Sequence, residues 1–135
     1  MGLPIIQYIV QIVKNITELG NKIIDSADNE KYAKAVNSLN KNVDETYEKM
    51  RELIEKDETL TIEQKLDKLE KLANSQIAAK QSCDETLKGN REHVHKIVSE
   101  VFFGLTTCGI SYIPKIIGSK KNIAQLENKE TKYNE

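Results

Sequence analysis

The hydrophobic and polar positions of this chain follow the 3.6-residue period of α-helices and divide it into four predicted helices. The first is predicted over residues 4–25, with Pro4 in its first turn, where a missing N–H is tolerated. Polar side chains fill one side of this helix, so we expect it to bury the other. That wide apolar face comprises Ile5, Ile6, Ile9, Val10, Ile12, Val13, Ile16, Leu19, Ile23 and Ile24.

The second and third predicted helices have narrower apolar stripes. The second is predicted over residues 29–56, with Ser26 or Asp28 as the residue that caps its N-terminus. Its stripe comprises Tyr32, Val36, Leu39, Val43, Tyr47, Met50 and Ile54. The third begins at a capping box formed by Thr61 and Gln64 and is predicted to end near residue 88. Its stripe comprises Ile62, Leu66, Leu69, Leu72, Ala73, Gln76, Ile77, Lys80, Cys83 and Leu87.

The fourth predicted helix, over residues 94–117, is the most apolar part of the chain. Its stripe comprises Val94, Ile97, Val98, Val101, Phe102 and Leu105. Between Glu100 and Lys115 no Asp, Glu, Lys or Arg occurs, and Pro114 and Gly118 are expected to disrupt and end the helix. Such a helix cannot be surrounded by water, so it must lie under other helices, under a partner or against lipid.

The architecture depends on whether the chain breaks at Gly89. Glycine after Lys88 is typical of a helix C-terminus, and Asn90 could cap the next helix, so a break is favoured. We therefore predict an all-α, antiparallel, up-down-up-down four-helix bundle. The alternative keeps one helix through Gly89 at a cost of about 1 kcal/mol and gives a long coiled-coil helical hairpin with apolar terminal helices. Residues 1–118 form one predicted domain, and the polar residues 119–135 are predicted to be disordered.

Charge and cysteine content narrow the range of functions. The chain has 20 Lys and Arg against 21 Asp and Glu, so it lacks the basic character that nucleic-acid binding requires, and no nucleic-acid partner is expected. Cys83 and Cys108 would lie about 18 Å apart even if the chain reversed at Gly89, whereas a disulfide needs Cα atoms within about 7 Å. Free thiols, and a start without a signal-peptide pattern, favour the cytoplasm.

No set of residues in the sequence points to catalysis. Glu92 and His95 have the Glu-x-x-His spacing used in di-iron bundles, but such a site needs a second copy of the motif and two further carboxylates. The only other histidine is His93, two positions from His95 and therefore on a different helix face. No nucleophile–base pair or glycine-rich phosphate loop is present. We expect no enzyme activity, cofactor, metal or small-molecule substrate.

The sequence therefore favours a protein-interaction or self-association module, whose partner is another protein or its own copy. A partner helix would lie against the apolar stripes of the second and third helices, or against surplus apolar surface on the first and fourth.

The alternative is a protein peripheral to a membrane, or inserting into it, through the apolar terminal helices. Residues 101–114 are shorter than the about 20 residues of a spanning helix, but Lys115 follows as an interfacial anchor would. Gly104 and Cys108 also resemble the small-residue rows of membrane helices. Whether residues 101–114 are core or lipid-facing stays open at this point. The predicted partner or membrane contacts are Ile5, Ile9, Phe102, Phe103, Leu105, Ile110, Ile113 and Lys115.

Overall fold

A computed structural model describes residues 2–111 of the chain, and this part of the protein is all-helical, without strands. Its elements are α1 (Gly2–Asp25), α2 (Asn29–Glu55), α3 (Ile62–Leu87) and α4 (His93–Thr107). The predicted starts and ends of the first three helices agree with these bounds to within two residues. The predicted polar tail lies outside the described residues.

The four helices pack as an up-down-up-down bundle, which confirms the predicted fold class. Each helix packs mainly on its neighbour in sequence, and α4 also packs against α1 and α2. Short connections of three to six residues join the helices, so consecutive helices run antiparallel. The coiled-coil hairpin alternative is wrong, because α3 and α4 are separate helices.

Gly89 breaks the chain between α3 and α4, as predicted. Its φ is +109°, in the left-handed region that glycine adopts without steric cost. The N–H of Gly89 donates to the carbonyl of Thr86 (3.0 Å), and the N–H of Asn90 donates to that of Glu85 (3.1 Å). This pair of bonds is the Schellman motif, which satisfies the last carbonyls of a helix. The side chain of Asn90 does not cap α4 but donates to Glu85 (2.7 Å).

A second Schellman motif ends α4 at Thr107, ten residues before its predicted end. Gly109 has φ +77°, and the N–H of Ile110 donates to the carbonyl of Leu105 (2.8 Å). The prediction of a longer helix was wrong because it took Pro114 and Gly118 as the stop signal and overlooked Gly109. Residues 112–117 lie outside the described residues.

The predicted N-terminal caps of α2 and α3 are present. The carboxylate of Asp28 accepts from the backbone N–H of Lys31 (3.0 Å), so Asp28 rather than Ser26 is the cap. Thr61 and Gln64 form the reciprocal capping box, with distances of 2.9 and 3.1 Å. Both caps satisfy N–H groups that a helix cannot pair internally, so they define where each helix begins.

The apolar faces of α1, α2 and α4 meet in one core. Eighteen of its buried members belong to these three helices: Ile9, Ile12, Val13, Ile16, Ile23, Tyr32, Val36, Leu39, Val43, Tyr47, Met50, Ile54, Val94, Ile97, Val98, Val101, Phe102 and Leu105. The stripe predicted for α2 is buried throughout. Within the apolar segment 101–114, the protein's own helices therefore bury Val101, Phe102, Gly104 and Leu105, whereas Phe103 is exposed.

Two glycines allow the helices to approach closely. A Cβ at Gly104 would lie 2.7 Å from the sulfur of Met50, and one at Gly20 would lie 3.0 Å from Cγ1 of Val94. The small residues of α4 that resembled a membrane-helix row thus face neighbouring helices of the bundle. Cys108 belongs to the same row, and its thiol lies 3.8 Å from the carbonyl oxygen of Met50.

Candidate interaction surface

Helix α3 presents an apolar face to solvent. Its exposed members are Ile62, Leu66, Ala73, Ile77 and Leu87, which we call the α3 stripe. The four large side chains keep 78, 62, 58 and 48 % of their surface exposed, respectively. At 100° per residue the five positions fall within about 80° of the helix circumference, and they extend about 37 Å along it. The stripe therefore follows one side of the helix, with Leu69 half-buried at its edge, and Lys80 and Asp84 interrupt it between Ile77 and Leu87.

Most of the stripe predicted for the third helix is thus turned outward, where a partner helix could contact it, whereas the stripe of the second helix, predicted as a second such surface, is buried. The face of α3 that points into the bundle is small and partly polar. Its buried members are Leu72, Ser75, Ala79, Ser82, Cys83 and Thr86. Only Leu72 and Cys83 belong to the predicted stripe.

Hydrogen bonds and side-chain volume explain why the small face of α3 is turned inward. The hydroxyl groups of Tyr47 and Ser75 lie 2.6 Å apart, and Ser75 also bonds the carboxylate (2.8 Å) and carbonyl (3.0 Å) of Glu100. An ionised carboxylate and a carbonyl only accept, so the Ser75 hydroxyl donates to Glu100 and accepts the hydrogen bond that the Tyr47 hydroxyl donates. Burial raises the pKa of Tyr47, which keeps this donor protonated. A large apolar side chain at position 75 would leave the buried tyrosine hydroxyl unpaired.

A second tyrosine fixes the other end of α3. The Tyr32 hydroxyl donates to the backbone carbonyl of Thr86. The Arg91 guanidinium lies 4.8 Å from the Tyr32 ring centroid and donates to the last carbonyls of α1, those of Ile23 and Ile24 (3.1 and 3.0 Å). A cation at these carbonyls also complements the dipole of α1. These contacts join α1, α2, α3 and the connection between α3 and α4 at one end of the bundle, and they restrain the rotation of α3 about its axis.

A polar network borders the α3 stripe on the side of α2. Gln76 accepts from Arg51 (2.7 Å) and donates to Asp44 (3.1 Å), and Asp44 also pairs with Lys80 (2.7 Å). Gln76 and Lys80 lie one and three positions from Ile77. The network connects α2 with α3, so the stripe is bounded on this side by side chains held in place.

The sequence carries a signal for the inward face of α3 in its small and hydroxyl-bearing residues, outside its pattern of large apolar residues. Ser75, Ala79, Ser82 and Thr86 are spaced by four, three and four residues, which is a helix-face period in its own right. Small and hydroxyl-bearing residues at this spacing indicate a face that packs closely against large side chains on other helices. A search restricted to large apolar residues cannot detect such a face.

The predicted partner or membrane contacts fall into three groups in the structure. Ile9, Phe102 and Leu105 are buried in the core, so a partner could reach them only if the bundle opened. Ile5 and Ile110 are half-buried against that core, whereas Phe103 is 47 % exposed. Ile113 and Lys115 lie outside the described residues. Of the described candidates, Phe103 is the large side chain available to a partner without unfolding.

None of the helices within residues 2–111 has the length and apolar character to cross a bilayer. Tyr8 on α1 is 46 % exposed, but its hydroxyl bonds the Glu45 carboxylate and its ring lies under the ammonium of Lys49. Its exposed surface is therefore already engaged by charged neighbours.

Within residues 2–111 no three His, Cys, Asp or Glu side chains are grouped as metal ligands would be. Burial raises the pKa of Cys83 to about 11 and that of Cys108 to about 12. Both thiols are free and protonated at neutral pH, which makes them poor nucleophiles.

Comparison of the chain with models of protein families, with curated proteins and with solved structures finds no match.

Proposed function

We propose that this protein is a non-enzymatic helical module that binds another protein chain through the α3 stripe. The observation that carries the proposal is the exposure of four large apolar side chains along one side of a helix whose opposite side is already packed. Contiguous exposed apolar surface with a polar border is typical of protein-interaction sites. The polar network beside the stripe supports this proposal, since Asp44 bonds both Gln76 and Lys80, and these side chains therefore do not cover the stripe.

The shape of the stripe favours a helical partner. It is about 37 Å long and only one helix face wide, which matches the row of contacts that an amphipathic helix makes. Full burial of an Ile or Leu side chain contributes about 1.5–3 kcal/mol, and the four large members keep between 48 and 78 % of their surface available. An interface of this size belongs to the small class, so we expect reversible binding with a micromolar dissociation constant.

Site-specific photo-crosslinking in cells that make the chain would test this function. A photoreactive amino acid at position 77 lies in the stripe, and one at the exposed Asn37 of α2 is the matched control outside it. We expect a discrete protein adduct from position 77 and none from position 37. The proposal would be overturned if none of the stripe positions 62, 66 and 77 gave an adduct while the chain stayed folded. Adducts with lipid alone would replace it with the membrane function.

A further inference from the structure

We propose that the partner of the α3 stripe is a second copy of this chain. The two α3 helices pair antiparallel about a two-fold axis that crosses the stripe at the level of residue 75. This inference rests on the proposed function and adds the identity and the register of the partner. In a two-fold interface every contact occurs twice, so a surface can pair with itself only if its two halves complement each other. The two halves of the α3 stripe meet this condition in both shape and charge.

The apolar positions of the stripe match when two copies of α3 run in opposite directions. With the axis near Ser75, Ile62 of one copy lies opposite Leu87 of the other, at both ends of the interface. Ile77 lies opposite Ala73, so a large side chain meets a small one close to the axis. The stripe then covers its own apolar surface at both ends and near the axis.

The charges beside the stripe favour the same antiparallel register. Glu63 and Glu70 are exposed in the first half of α3. The half-buried Lys80 lies in its second half, and the exposed Lys88 caps its C-terminus. Antiparallel pairing places Glu63 opposite Lys88 of the other copy, on the same flank of the interface, whereas Glu70 and Lys80 share a level along the helix but lie on opposite flanks. Parallel pairing would instead place each of these residues opposite its own like-charged equivalent, which opposes association. Both lysines already contact a carboxylate within their own copy, Asp44 and Glu85, so the new ion pairs would modulate an association whose main source is apolar burial.

One residue opposes this register and provides a further test of it. Asp84 is exposed within the width of the stripe and would lie opposite Leu66 of the second copy. Burying an unpaired carboxylate against leucine is unfavourable. Neutralising this charge should therefore strengthen self-association, whereas neutralising an equally exposed aspartate of α3 outside the stripe should not.

The test is sedimentation equilibrium of the purified full chain across the micromolar range, with charge exchange at the paired positions. Wild type should form dimers. E63K alone places two lysines together at both ends, and K88E alone places two glutamates together there, so each should weaken dimerisation by about tenfold. A one-to-one mixture of E63K and K88E restores both opposite-charge pairs and should dimerise again, as should the double variant. E30K, which makes the same change in the first turn of α2, is the control and should behave as wild type.

The second measurement compares D84N with D67N, because Asp67 lies on the outer flank of α3 and pairs with Lys71 (3.1 Å). D84N should tighten the dimer several-fold, and D67N should leave it unchanged. Circular dichroism melting of each variant shows that altered association does not come from unfolding.

The outcomes separate this inference from the function on which it rests. A wild-type chain that stays monomeric, or a dimer that responds equally to E63K, K88E and E30K, overturns the antiparallel pairing. If position 77 still crosslinks a different protein, the proposed function survives without self-pairing. If no adduct forms from any stripe position, both fail.

Discussion

The orientation of α3 can be tested by shortening one side chain on each of its two faces. Leu72 on the inner face is fully buried, and its Cδ2 atom would lie 3.5 Å from a Cβ at Gly104. Ile77 on the outer face keeps 58 % of its surface exposed. Because α3 turns Leu72 inward and Ile77 outward, Leu72→Ala and Ile77→Ala must differ strongly in their effect on stability.

The expected magnitudes follow from burial. Leu72→Ala removes a fully buried side chain and leaves a cavity, so it should lower the free energy of unfolding by about 3 kcal/mol. Ile77→Ala removes a side chain that is less than half buried, and solvent fills the space it leaves. Its cost should stay below about 1 kcal/mol. For a domain of this size, about 1 kcal/mol shifts the melting temperature by about 4 °C, so the two variants should be clearly separated.

The assay is urea unfolding followed by circular dichroism, at a chain concentration low enough that self-association does not contribute to stability. Ala79→Leu provides the converse test, because Ala79 is fully buried and a larger side chain there should cost about 1–3 kcal/mol by overpacking. Equal costs for Leu72→Ala and Ile77→Ala, or a tolerated Ala79→Leu, would refute the inward face of α3. The exposed stripe and both proposals built on it would then be wrong.

Three further predictions concern the core and the response to acid. Phe102→Asp should abolish the cooperative melt, since an unpaired charge in the core costs several kcal/mol; an intact melt with lost liposome binding would instead favour the membrane role. Gly104→Val should destabilise the bundle by about 1–3 kcal/mol by displacing Met50, and Met50→Ala should reduce that penalty in a double-mutant cycle. Burial lowers the pKa of His95 below its ordinary 6.5, so the unfolded chain binds a proton at a higher pH than the folded chain does. Stability should therefore fall as the pH drops below 6.5. His95→Gln should remove this dependence, as measured by urea unfolding at a series of pH values.

The helix boundaries were predictable because the interactions that set them are local. Asp28 caps α2 through an N–H three residues away, and Thr61 and Gln64 satisfy each other within one turn. Gly89 ends α3 through bonds to residues just before it. Gly109 ends α4 through the same kind of local bonds. The predicted end of α4 was wrong because Pro114, rather than Gly109, was taken as the residue that ends the helix.

The candidate surface was less predictable. The periodicity of α3 correctly grouped Ile62, Leu66 and Ile77 on one face of a helix, and the sequence analysis included that face among the surfaces a partner could contact. Which residues of α3 meet the core instead depended on Tyr32 and Tyr47 of α2 and on Glu100 of α4, which are distant in sequence.

By itself, the sequence determined the number of helices, three of their starts and the break that turns α3 back into α4, because each depends on residues within a turn or two of one another. Only the tertiary structure decided which face of α3 is buried. Whether side chains fit together and pair their hydrogen bonds at a helix contact depends on the residues of both helices. The buried hydroxyls of Tyr32 and Tyr47 need hydrogen-bond partners on α3. The face of α3 with small and polar residues therefore packs against them, and its more apolar face is left in contact with water.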